Sequence, residues 1–67
     1  MTWTDINDIA YELFQKNPGL DPLTVRFTDL RDKVIALEEF DDNEKGCNEK
    51  ILEAIQMAWL EEFQDKD

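Results

Sequence analysis

The chain has 67 residues, 42% of them hydrophobic, and its 17 acidic against 7 basic side chains give a formal net charge of −10. One small domain covering 1–67 is expected; at that size it buries only roughly 60% of the surface of its unfolded chain, so the core is thin and a deep catalytic cleft is excluded. The charge attracts cations and basic protein surfaces, repels nucleic acid and anionic membranes, and by self-repulsion favours a monomer.

Trp3-Thr4-Asp5 opens the molecule. Thr4 is the expected cap of a first helix, with Asp5 in its first turn, where a negative charge complements the helix dipole. Ile6, Ile9, Ala10, Leu13 and Phe14 follow at the spacing of one buried helical face. Asn17-Pro18-Gly19 stops that helix, because Pro18 disfavours α geometry before it and Gly19 takes positive φ cheaply.

Leu23-Thr24-Val25-Arg26-Phe27 fits either a very short extended segment near 24–27 or one helical turn, and periodicity does not choose between them. Thr28 is the expected second cap, with Leu30, Val34, Ile35 and Leu37 as the apolar side of a helix ending near Phe40. Asp41 to Cys47 reads as a polar turn containing Gly46, and Asn48 as the cap of a third helix. Ile51, Ile55, Ala58 and Trp59 line one face of that helix, and Leu52 and Phe63 widen the stripe. Met57 and Leu60 lie off the stripe and are assigned to the edge of the core, with an apolar patch for a partner as the alternative. The 64–67 tail should fray. The fold class is all-α: a small three-helix bundle compatible with a helix-turn-helix or winged-helix-like arrangement.

Two acidic groups stand out. On the first helix, Asp5, Asp8 and Glu12 fall within about 60° of one another, well away from the apolar face. The second group is Glu38, Glu39, Asp41 and Asp42, at the end of a helix where negative charge is unfavourable by a few tenths of a kcal/mol per group. A solvated surface is the plainer reading of each; a cation or a basic protein surface is the functional one. Hard oxygen ligands of this kind suit iron, calcium or magnesium, but carboxylates alone hold iron weakly and with little selectivity. An EF-hand fails in both registers: starting at Asp41 puts Lys45 at loop position 5 and Leu52 at position 12, and starting at Asp42 moves Gly46 off position 6.

The single cysteine and the absence of histidine leave no intramolecular disulfide, no cysteine metal cage and no histidine base. Cys47 reads as a lone surface thiol, Trp3 and Trp59 as packing residues. No catalytic residue is assigned and no resident cofactor site; the chain is not expected to be an enzyme. With no signal-peptide pattern and no membrane-length apolar run, a cytoplasmic location is expected.

Trp3-Thr4-Asp5, Leu20-Asp21-Pro22, Thr24-Val25-Arg26-Phe27-Thr28-Asp29, Phe40-Asp41-Asp42 and Asn48-Glu49-Lys50-Ile51-Leu52-Glu53-Ala54-Ile55, continued by Trp59-Leu60, resemble the IscX (YfhJ) family of bacterial iron–sulfur cluster assembly proteins, in order and spacing. The resemblance covers nearly the whole chain. It implies a small modified winged-helix fold and an acidic adaptor that binds the cysteine desulfurase IscS and, weakly, iron as Fe²⁺ or Fe³⁺. It also implies competition with the bacterial frataxin for an overlapping desulfurase surface. Asp5, Asp8, Glu12, Glu38, Glu39, Asp41 and Asp42 are the residues that would meet partner and metal. Cys47 is a departure, since no family feature calls for a thiol there. The other functions weighed are a winged-helix nucleic-acid-binding module, which the charge disfavours, and a carboxylate-based metal buffer.

Overall fold

The computed structural model describes residues 1–65 and contains three α-helices: α1 (Ile6–Lys16), α2 (Phe27–Ile35) and α3 (Glu49–Gln64). Short 3-10 turns at Pro22–Thr24 and Glu44–Gly46 punctuate the two connections, and no strand occurs among the described residues. The all-α three-helix bundle of the sequence reading is what forms. Lys66 and Asp67, half of the expected frayed tail, lie outside the described residues.

Each helix exists because it has one apolar face to bury. Ile9, Ala10, Leu13 and Phe14 of α1 meet Leu52, Ile55 and Trp59 of α3, the most extensive helix pair in the molecule. Leu30 and Val34 of α2 close the core from the side, and Trp3 and Leu37 complete it from the connecting segments. Among the described residues no charged or polar side chain is buried. Leaving out all buried charge is how a small acidic chain avoids desolvation costs of several kcal/mol per ion.

The stop of α1 is as expected: Asn17 is its last cap, and Gly19 sits at φ +89°, where a Cβ would be strained. Asn48 caps α3, its Oδ1 accepting from Ile51 N–H at 2.9 Å. Trp3 and Trp59 are indeed packing residues, almost wholly enclosed.

Four local expectations need correction. The cap of α1 is Asp5, not Thr4: the Asp5 amide donates to Thr2 O at 3.0 Å, its carboxylate turns back to accept from Thr2 N–H at 2.9 Å, and the Thr4 hydroxyl pairs with that of Thr2. The cap of α2 is Arg26, not Thr28, and it makes no side-chain capping bond. Packing sets that start, since Leu30 is fully buried with its amide on Arg26 O at 2.8 Å, and Phe27 rests against the core. α2 ends at Ile35 rather than near Phe40, because tight bonds from Leu37 N–H to Val34 O and from Phe40 N–H to Leu37 O turn the chain inward. Leu37 thereby enters the core. Finally, Met57 is 54% exposed and outside the core, while Leu60 is half-buried.

The ambiguous 23–27 segment resolves into a 3-10 turn. Asp21 starts it by accepting from Leu23 N–H at 3.0 Å, Pro22 supplies the fixed φ, and only Val25 and Arg26 remain extended. Gln56 of α3 anchors the turn by donating to Pro22 O at 3.0 Å.

The core boundary can be checked by substitution. Ile55→Ala should lower stability by about 2–5 kcal/mol, whereas Met57→Ala should change it by less than about 0.5 kcal/mol; urea unfolding followed by far-UV circular dichroism measures both.

Candidate docking surface

The acidic residues of the 38–42 segment owe their placement to Trp3. Its indole is 1% exposed, its Nε1–H donates to Asn43 O at 2.8 Å, and its ring meets Phe40 edge-on with centroids 4.8 Å apart. The backbone joins as well. The Met1 amino nitrogen donates to Glu39 O, and Asp41 N–H donates to Met1 O at 3.0 Å, one bond on each side of Phe40. Residues 1–3 are therefore laid along residues 39–43.

Within this contact the carboxylates divide into two kinds. Asp42 is engaged: Oδ2 accepts from Trp3 N–H at 3.2 Å, and Oδ1 accepts from Asn43 N–H at 2.7 Å. Asp41 Oδ1 lies 3.2 Å from the Met1 amino nitrogen, with its side chain still 78% exposed. Glu38 and Glu39 are exposed, and their carboxylates meet no donor or cation among the described residues.

On α1 the same division holds. Asp5 is half-buried and committed to Thr2, so it is a turn residue rather than part of a free ridge. Asp8, in the first helical turn, and Glu12, one turn on, have no side-chain partner among the described residues. Asp5 and Asp8 flank a shallow open hollow with Thr4, Ile6 and Asn7.

The two acidic groups meet at the amino-terminal segment. Asp5 takes the amide of Thr2, and Asp42 takes the next amide, that of Trp3. Spacing along the sequence could not reveal this, because the Trp3–Asp42 contact joins residues 39 positions apart. Among the described residues no three acidic or thiol side chains converge closely enough to hold a metal ion, so the seven carboxylates do not form a preformed iron site. Cys47 is half-buried and packs against the core.

The clamped loop leaves Glu38 and Glu39 exposed beside it, and comparison with known proteins bears on their role. A family model described as iron–sulphur cluster assembly matches residues 1–64. The chain belongs to the IscX (YfhJ) family of iron–sulfur cluster assembly proteins. An uncharacterised protein of Pseudomonas aeruginosa is 48% identical over 62 residues, covering 92% of this chain and 94% of that protein. The family is one of assembly proteins rather than catalysts, which places the chain among the assembly machinery. Among the described residues no helix is long and apolar enough to cross a membrane.

The structural share of the acidic loop is testable. Asp42→Ala removes the acceptor of Trp3 N–H, with an expected loss of about 1 kcal/mol and a red shift in tryptophan emission as the segment loosens. The double change Glu38→Gln with Glu39→Gln should leave both stability, within about 0.5 kcal/mol, and emission unchanged.

Proposed function

We propose that this protein is an acidic, non-catalytic adaptor of iron–sulfur cluster assembly that docks on a basic patch of a cysteine desulfurase. Family membership supplies the process. The observation that carries the docking reading is the set of exposed carboxylates at Asp8, Glu38 and Glu39, with half-buried Glu12 beside Asp8, unquenched by any cation among the described residues. Asp5, Asp41 and Asp42 belong to the same end of the molecule, but they act mainly by holding it in shape. A bacterial frataxin, using the same kind of electrostatics, would compete for an overlapping desulfurase surface. The protein would work as a cytoplasmic monomer, its three helices forming a modified winged-helix bundle.

Iron enters this reading as a loosely held cargo. Pairs of neighbouring carboxylates attract Fe²⁺ or Fe³⁺ electrostatically, and without a convergent set of ligands neither affinity nor selectivity is high. Calorimetry with Fe²⁺ should therefore find no sub-micromolar site; a tight, stoichiometric one would identify a metal buffer instead. A nucleic-acid role is opposed by α3, which carries Glu49, Glu53, Glu61 and Glu62 against Lys50 alone.

Docking of this kind is steered by long-range charge and is screened by salt. Between roughly 50 and 500 mM salt the Debye length falls from about 14 to about 4 Å, and desulfurase affinity should fall at least tenfold. Reversing Glu38 and Glu39 to Lys should reproduce that loss at low salt. Binding indifferent to both would remove the electrostatic mechanism while leaving the family assignment intact.

A further inference from the structure

The face of α2 that looks toward the 3-10 turn Pro22–Thr24 carries a groove that takes no part in the surface described above. Leu20, Thr24 and Val25 supply one side of it, and Asp29, Asp32 and Lys33 of α2 the other, bordering an open volume of about 410 Å³. It is open to solvent along its length, with Leu20 and Val25 as its apolar lining. Leu23, the neighbour of Thr24 in the turn, is 60% exposed and extends the apolar surface outward.

The two carboxylates give this groove a sign. Asp29 and Asp32 are three residues apart on α2, so their side chains stand next to one another on one helical face. Asp29 meets no cation among the described residues, and Asp32 is paired only with its sequence neighbour Arg31, at a long 3.8 Å and with its own side chain 74% exposed. Such an exposed pair is worth little and competes weakly with an incoming cation. Lys33, the one basic side chain in the lining, is half-buried and offsets one of the two carboxylates, leaving the groove net negative.

We propose that this groove is a second docking site, for a short linear segment of another protein that carries an aliphatic side chain next to Lys or Arg. The aliphatic group lies against Leu20 and Val25, and the cation rests between Asp29 and Asp32. Charge decides the class of occupant. A net charge of −10 repels nucleic acid and anionic lipid, and an open groove cannot enclose a small molecule as ligand pockets do. The site uses different residues from the desulfurase-docking surface, and it would give an adaptor two faces with which to hold two basic partners.

The test is an NMR titration of the full chain, labelled with ¹⁵N, using capped peptides. The probe is Ala-Leu-Ala-Arg-Arg-Ala, with one control in which Leu is replaced by Ser and one in which both Arg are replaced by Gln. Saturable shifts are expected at Leu20, Thr24, Val25, Asp29 and Asp32, with each control peptide binding at least fivefold more weakly. The double variant Asp29→Lys with Asp32→Lys, altered only at exposed positions, should keep its dispersed spectrum and bind the probe at least tenfold more weakly. No saturation at millimolar peptide, equal binding of the Ser control, or shifts confined to residues 38–42 would each overturn the site. None of those results bears on desulfurase docking, which is read separately from the Glu38 and Glu39 reversal.

Discussion

The burial of Trp3 is the constraint on which the rest of this structure depends. A chain of 67 residues has little apolar surface to spend, and its amino-terminal tryptophan is drawn fully into the core. An indole buried there needs an acceptor for its N–H, and Asn43 O provides one. To bring that carbonyl within reach, the segment after α2 must turn early and lie beside residues 1–3. The end of α2 at Ile35, the inward Leu37 and the edge-on Phe40 all follow from that requirement. Gly46 is part of the same fit, since a Cβ built there would come within 3.0 Å of the Trp3 ring.

The same constraint sorts the carboxylates. Those nearest the clamp accept backbone N–H groups, as Asp42 does from Trp3 and Asn43 and Asp5 does from Thr2. Hydrogen bonds from amides hold Asp42 and Asp5 in place without neutralising them, and the amino-terminal ammonium offsets only Asp41, so the loop is ordered yet keeps most of its negative charge. That differs from tying the loop down with Lys or Arg, which would fix its shape and cancel its field. A loop held mainly by amide donors and one terminal ammonium can still present the Glu38 and Glu39 carboxylates to a basic surface. Preorganisation of this sort lowers the ordering cost of association.

What the sequence disclosed follows the reach of each interaction. Apolar periodicity marked α1 and α3, and the Asn17-Pro18-Gly19 stop and the Asn48 cap were local signals that the structure repeats. Helix ends governed by distant contacts were misread. Phe40 looked like the close of α2 because its partner is Trp3, and Thr4 and Thr28 looked like caps because nothing nearby says that Asp5 and Arg26 fill those roles. At the acidic end, composition revealed the charge but not the division of labour within it. Asp41 and Asp42 are indistinguishable in sequence from Glu38 and Glu39, and only the path of residues 1–3 separates them. The two tryptophans make the same point from within the core: the Nε1–H of Trp3 finds a carbonyl, whereas that of Trp59 is buried with no acceptor among the described residues.

Charge acts on this molecule in two opposed senses, and salt separates them. Seventeen acidic side chains, on a fold that buries no ion pair among the described residues, raise the free energy of the compact state through mutual repulsion. Added salt screens that repulsion and so stabilises the isolated protein, while the same screening weakens its attraction to a basic partner. If the acidity served solubility alone, a partner's affinity would be indifferent to ionic strength. If it serves docking, affinity falls in the very range where the free protein becomes more resistant to unfolding. A loss of binding at high salt therefore cannot be ascribed to loss of fold, and the two readings of the acidic surface make opposite demands on one pair of measurements.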